Sequence, residues 1–157
     1  MTGIKLVIDT NLLLLFVVGI TNRNLITRHK RLKEFCLEDY DLLCQVIKSS
    51  FEVLVTPNTL TETSNLLGYI NEPARTQLFE TFHSFIQSTQ EEYIDSRIAS
   101  NAMEFLRLGL TDSGLLEITN ESRSILTTDL DLYLSALSRG LSAVNFNHLR
   151  ELSYQNL

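Results

Sequence analysis

Cysteine is scarce in this chain: Cys36 and Cys44 are the only two among 157 residues. Eight residues apart in a stretch of helical pattern, they match neither a dense disulfide framework nor the ligand spacing of a zinc site. A disulfide-stapled secreted scaffold is therefore excluded, and a reducing, cytoplasmic setting is expected. Long apolar runs are lacking as well. Leu12 to Ile20 is apolar throughout but far shorter than the roughly 20 residues that span a bilayer. Asp9 stands just upstream and no small-x-small cleavage site follows, so the run is a poor secretory signal. It reads as a buried helix, with no membrane association. Excess positive charge is also missing. The net charge of −6 is the wrong sign for a protein that holds nucleic acid by bulk charge alone.

What is present is ordinary for a globular protein, with 44% apolar and 20% charged residues, outside the range of disordered or fibrous chains. The length fits a single domain over residues 1–157, because single cores of about 100–200 residues are the usual unit. No internal repeat or low-complexity tract interrupts it. Charge is unevenly distributed. Five of the 13 Lys+Arg residues, Arg23, Arg28, Lys30, Arg31 and Lys33, fall together with His29 and without an acid among them. Such a stripe is either a solvated face or a phosphate-contacting one.

Short runs rich in Val, Ile and Leu predict strands at 4–8, 52–55 and 124–127, with a fourth candidate at 142–146. Helical patterns lie between them, at 12–20 and about 37–48, 57–69, 73–88, 95–108, 112–120 and 130–138. Pro57 and Pro73 suit helix starts, while Gly109 and Gly140 suit helix ends. Strands separated by helices predict an α/β fold, a three-layer α/β/α sandwich with a mainly parallel central sheet. The stretch from Glu72 to Leu108 shows no strand signal and is expected to project from the sheet as a helical hairpin or clamp.

Four acids stand out by position. Asp9 directly follows the first strand, and Asp129 follows the 124–127 strand after one residue, so both sit where a strand hands over to a helix. The carboxyl ends of parallel strands share one edge, where ligands bind in open α/β sheets. Glu62 lies about a turn into the helix after the second strand, and Asp112 opens the helix after Gly109. Each also has a local explanation. Asp9, Asp129 and the pair Thr111-Asp112 can cap the helices they precede, and Thr59-Leu60-Thr61-Glu62 fits a capping box. Capping does not account for acids gathering along one sheet edge, whereas a metal site does. Carboxylates so gathered repel by about 4 kcal/mol per pair at roughly 4 Å and an effective dielectric near 20. Mg²⁺ or Mn²⁺, hard cations that take carboxylate and water oxygens, relieve that repulsion. Without metal, part of the cluster should have raised pKa values.

The same residues resemble the motifs of PIN domains. Val7-Ile8-Asp9-Thr10-Asn11 is similar to the family's opening, and Thr56-Pro57-Asn58-Thr59-Leu60-Thr61-Glu62 to its second motif. The segments centred on Asp112 and on Thr127-Thr128-Asp129-Leu130-Asp131 are similar to the third and fourth, and Val144-Asn145-Phe146-Asn147 to a closing strand of some members. The resemblance implies a PIN-like sandwich and a Mg²⁺- or Mn²⁺-dependent endoribonuclease. Asp9, Glu62, Asp112 and Asp129 are then the catalytic, metal-binding acids. Asn11 and Thr127 support Asp9 and Asp129, Asp131 is a candidate further ligand, and the basic stripe is expected beside the site mouth, contacting RNA. Small members resemble VapC-like toxins, which form homodimers and are silenced by an antitoxin protein. This chain is longer than those, with the excess in 21–50 and 72–108. The competing expectation is a non-catalytic PIN module that binds RNA or a protein partner. A flap-type DNA nuclease is disfavoured, because the chain lacks room for a helical arch. His29, His83 and His148 are scattered, and structural or surface roles are expected for them.

Overall fold

In the computed structural model, which describes residues 3–156, the strands are β1 (Lys5–Ile8), β2 (Glu52–Val55), β3 (Gln90–Glu91), β4 (Arg123–Thr127) and β5 (Ala143–Asn145). They form one sheet in the order β3-β2-β1-β4-β5, with every neighbouring pair parallel. Parallel neighbours must be joined by crossovers. Helices α1 (Thr10–Thr21) and α2 (Leu37–Ser49) connect β1 to β2, and α3 (Pro57–Leu67) and α4 (Ala74–Ser88) connect β2 to β3. The return to β4 carries α5 (Ser96–Ala99) and α6 (Phe105–Ile118), α7 (Leu130–Ser138) joins β4 to β5, and α8 (Phe146–Gln155) follows.

Strands β1, β2 and β4 are covered on both faces, and the two-residue period of a strand sends alternate side chains to opposite sides. Leu6, Ile8, Val55 and Leu126 enter one core with α1, α3, α4 and Phe146 of α8. Val7, Leu54 and Ile125 enter the other with Leu115 and Leu116 of α6 and Leu132 and Ala136 of α7. The result is the three-layer α/β/α sandwich expected from the alternation of patterns. Helix α1 lies between the sheet and α2, α3 and α4, which is why it tolerates no polar face: Leu12 to Leu15, Val17 and Val18 are all fully buried. Removing such side chains from water contributes about 1.5–3 kcal/mol each.

Three expectations need correction. The 72–108 stretch does not project from the sheet. Ala74, Leu78 and Phe82 of α4 are buried in the first core, and Gln90–Glu91 pairs with Leu54 and Val55 as the edge strand. Both β3 residues are exposed, so no apolar pattern marked a strand whose contribution is backbone hydrogen bonding. The helix expected over 95–108 is divided into the short α5 and the start of α6. Helix α8 went unforeseen because, of its ten residues, Phe146 alone is buried and the rest carry little apolar signal. Gly109 acts as expected: at φ +82° and ψ −176° it breaks α6 between Leu108 and Leu110, a conformation nearly closed to other residues. No helix among the described residues is long and apolar enough to cross a membrane.

Candidate functional site

The chain moves outward from β1 to β2 and β3, then returns to place β4 on the other side of β1. Helix α1 leaves β1 toward one face and α7 leaves β4 toward the other. Their starting points diverge and leave a crevice at the strand ends, the usual ligand position in such sheets. Asp9 and Asp129 occupy those two starting points. The parallel register pairs Ile8 with Leu126, and the Asp9 N–H donates to the Leu126 carbonyl at 3.1 Å, so Asp9 and Thr127 are brought side by side.

Asp9 is 5% exposed and fully engaged. Its Oδ1 accepts the Leu12 N–H at 3.0 Å, capping α1, while Oδ2 accepts the Thr127 hydroxyl and the Thr128 N–H at 3.1 Å. Asp129 caps α7 by accepting the Leu132 N–H at 2.9 Å. For these two acids capping and membership of the crevice coexist. Glu62 and Asp112 do not cap. The cap of α3 is Thr56, whose hydroxyl accepts the Thr59 N–H at 3.2 Å, so the expected Thr59–Glu62 capping box is absent. Glu62 instead reaches across elements, accepting the Thr10 hydroxyl at 3.0 Å and the Thr111 hydroxyl at 2.6 Å. Asp112 lies just past the Gly109 break, in the first turn of the helical segment that follows it.

All four carboxylates line one pocket of about 160 Å³, together with Thr10, Asn11 and Leu66. Larger grooves lie elsewhere, one of about 490 Å³ along α4, but its lining includes a single carboxylate, Glu80. Size is a poor guide here, because converging ionisable groups rather than volume mark a chemical site. Burial first, then the charges of Asp9, Asp129 and Glu62, push the Asp112 carboxyl up to about 7. Burial likewise raises Asp9 to about 6, against the lowering effect of the Thr127, Leu12 and Thr128 hydrogen bonds and with help from the Asp129 charge. Among the described residues none of the four forms a salt bridge with Lys, Arg or His. The cluster therefore carries uncompensated repulsion.

No three His, Cys, Asp or Glu side chains among the described residues are close enough to hold one ion as they stand. The reason is visible in the hydrogen bonds: Glu62 has turned both oxygens to threonine hydroxyls, and Asp9 has given its own to three donors. Donor chemistry and donor geometry thus differ. The set is all hard oxygen, suited to Mg²⁺ or Mn²⁺, yet gathering it around one ion requires the carboxylates to move closer together than they stand.

The secondary residues divide. Thr127 supports both acids, donating to Asp9 and accepting the Asp129 N–H at 2.9 Å through the same oxygen. Asn11 lines the pocket, but the bonds that orient Asp9 come from Leu12, Thr127 and Thr128. Asp131 is not brought to the site. It lines a separate groove with Met103, Arg107 and Leu134, because position 131 lies two residues further round α7. The basic stripe does not line the acidic pocket either. Helix α1 carries the chain about 18 Å from Asp9 before Arg23 is reached. Arg23 pairs with Asp41, and Arg31 stacks over Tyr69 at 4.2 Å. Arg28, Lys30 and Lys33 are exposed. His29 is buried and structural, its Nε2 3.2 Å from the Leu67 carbonyl, and burial lowers its pKa. His148 packs edge-on against Tyr133 at 5.6 Å. Thr10, Thr111 and Thr128 were not singled out from the sequence. Thr10 and Thr111 immediately precede Asn11 and Asp112 within the motifs, and that adjacency was the available signal. No protein-family model matches the chain, and no curated protein matches it in sequence.

Proposed function

We propose that this chain is a divalent-metal-dependent endoribonuclease of the PIN type that hydrolyses RNA phosphodiester bonds. The observation that supports this most is the gathering of four carboxylates, from the start of α1, from α3, from α6 and from the start of α7, around one strand-end pocket without a basic partner. Acids held together at a cost in repulsion make sense where a cation completes the site. Asp9, Glu62, Asp112 and Asp129 would hold Mg²⁺ or Mn²⁺, which when bound supplies an acidified water and charge stabilisation for a phosphodiester displacement. The chain's own residues prepare the pocket. Thr127 and the Thr128 N–H fix the direction of Asp9, Leu66 gives the pocket an apolar wall, and burial and neighbouring charges raise the Asp112 carboxyl to about 7.

With this activity go RNA as substrate, a toxin role in a toxin–antitoxin or defence system, an antitoxin protein as inhibitor, and a cytoplasmic location. Arg28, Lys30 and Lys33 remain the residues to contact RNA away from the scissile bond. A homodimer is part of the proposal. It is supported by exposed apolar side chains around α7 and the start of α6: Met103 and Leu134 line one groove, Met103 and Leu106 are 95% and 96% exposed, and Leu130, Leu134 and Leu137 are about half exposed. The deciding experiment incubates the protein with tRNA, mRNA and single-stranded DNA in Mn²⁺, Mg²⁺ or chelator. RNA cleavage that needs metal and is lost in Asp112→Asn supports the proposal, and full activity in that variant sinks it.

A second reading, a non-catalytic module binding RNA or a protein, is favoured by one observation: both Glu62 oxygens are already hydrogen-bonded and no ion-holding triad is assembled. Tight RNA binding with no heat of Mn²⁺ binding in calorimetry would select it.

A further inference from the structure

We infer that Asn147 and Arg150 on α8 are positioning residues for Asp9, acting through the backbone of Thr128. The catalytic consequence rests on the nuclease reading; the structural linkage does not. Thr128 lies in the short junction between β4 and α7, outside both elements. Its backbone is held from two sides: its N–H donates to Asp9 Oδ2 at 3.1 Å, and its carbonyl accepts the Asn147 side-chain N–H at 3.2 Å. Asn147 is itself oriented, because its Oδ1 accepts an Arg150 N–H at 3.0 Å, which leaves its NH₂ facing Thr128.

Arg150 in turn is immobilised. It grips Asp39 with two prongs, Nε to Oδ1 at 2.9 Å and Nη2 to Oδ2 at 3.0 Å, and donates to the Glu34 carbonyl at 2.8 Å. Its guanidinium lies 5.2 Å from the centre of the Phe35 ring. Asp39 is 1% exposed and also accepts the Cys36 N–H at 2.8 Å and the Tyr154 hydroxyl at 2.6 Å. A two-pronged ion pair with its carboxylate buried is a rigid anchor: each Asp39 oxygen accepts two hydrogen bonds, and all three Arg150 guanidinium nitrogens donate. The path therefore runs Asp39, Arg150, Asn147, Thr128, Asp9. A helix with one fully buried apolar side chain spends most of its polar contacts on this path. What it supplies is direction: Asp9 faces repelling neighbours, and a junction without ladder or helix bonds would otherwise let it turn away.

The test compares two variants. Asn147→Asp keeps the oxygen that Arg150 uses but sets an acceptor against the Thr128 carbonyl. Tyr154→Phe removes a hydrogen bond from the same Asp39 while standing off the path. The readouts are hydrogen exchange of the Thr128 amide by NMR, Mn²⁺ affinity by calorimetry, and kcat and KM on single-stranded RNA. For Asn147→Asp the expected result is Thr128 exchange at least about tenfold faster, with Mn²⁺ affinity and kcat lowered about tenfold, the lower end of outer-shell effects. KM should stay within about twofold, and Tyr154→Phe should leave all of these unchanged. Unaltered Thr128 exchange in Asn147→Asp, or an equal loss of kcat in Tyr154→Phe, overturns the inference. If the unmodified protein neither binds Mn²⁺ nor cleaves RNA, the nuclease reading falls, and the exchange measurement still decides the linkage.

Discussion

The Thr127 hydroxyl donates to Asp9 Oδ2 while the same oxygen accepts the Asp129 N–H, so one side chain spans the gap between the two strand ends that frame the crevice. Thr127 is fully buried, and its β-branched shape suits the strand that carries it. Replacing it with valine keeps that shape and deletes the bridge. Thr127→Val is expected to lose about 1–3 kcal/mol of unfolding free energy, the usual cost of stranding buried polar partners. RNA cleavage should fall with it. Urea unfolding beside a cleavage assay reads both, and unchanged stability would show that the bridge carries no weight.

Asparagine substitutions at Asp9 and Asp112 should differ in stability though both remove a carboxylate proposed to hold metal. At position 112 the change relieves repulsion and disturbs no capping bond, so metal-free Asp112→Asn should melt a few degrees higher, about what 1 kcal/mol provides in a domain of this size. At position 9 the new NH₂ competes with the Thr127 and Thr128 donors, so Asp9→Asn should melt no higher than the parent. Both should lose at least about 100-fold in cleavage, as expected when a group directing charge at the reaction is removed. Thermal scans in chelator separate them.

The stability that Asp9 and Asp112 contribute without metal should fall as pH rises. Asp9 and Asp112 have folded-state pKa values of about 6 and about 7, above the ordinary 3.8. Between about pH 4 and pH 7 these two carboxyls therefore bind more protons in the folded state than in the unfolded chain, and linkage makes their contribution to the slope of unfolding free energy against pH negative, while His29, whose pKa burial lowers, contributes with the opposite sign. The stabilisation is present in full below pH 4 at these two groups and is lost as pH rises through 6 and 7. Asp112→Asn should flatten the upper part of that slope, and saturating Mn²⁺ should oppose it by binding the ionised form. Denaturant melts at half-unit pH intervals test this, and a positive slope for these groups would contradict it.

Gly109→Ala isolates backbone strain. A Cβ at this position would meet nothing within 4 Å, so collision is not the issue. The cost lies in holding φ +82°, about 1–3 kcal/mol for a residue other than glycine. Because the break sets the start of the helical segment bearing Thr111 and Asp112, the variant should also weaken the Thr111–Glu62 bond and lower cleavage. A stability loss below about 0.5 kcal/mol would mean that the junction relaxes freely.

Leu106→Glu tests self-association. At 96% exposure the side chain contributes nothing to the monomer core, so the unfolding free energy of the isolated chain should change by less than about 0.5 kcal/mol. If two copies pair through these apolar side chains, sedimentation should show the dimer of the parent shifted to monomer in the variant. A dimer unaffected by this change would place the interface elsewhere.

The sequence by itself determined the layers and the four principal acids. Alternating helical and strand patterns allow few solutions beyond a parallel sheet covered on both faces, because such strands must bury both sides. Asp9 and Asp129 were legible because each directly ends a buried strand, and the local rules that place caps also placed them at the sheet edge. Tertiary structure alone decided what surrounds those acids. Register set Asp9 beside Thr127, a pairing 118 residues apart that no local pattern encodes. Packing turned Glu62 toward Thr10 and Thr111 instead of into a capping box, moved Asp131 and the basic stripe away from the pocket, and made a strand of Gln90–Glu91. It also brought α8 over the β4–α7 junction, so that Asn147 and Arg150 reach the backbone beside Asp9. Periodicity reports which residues leave water, whereas polar side chains find their partners through the geometry of the assembled fold.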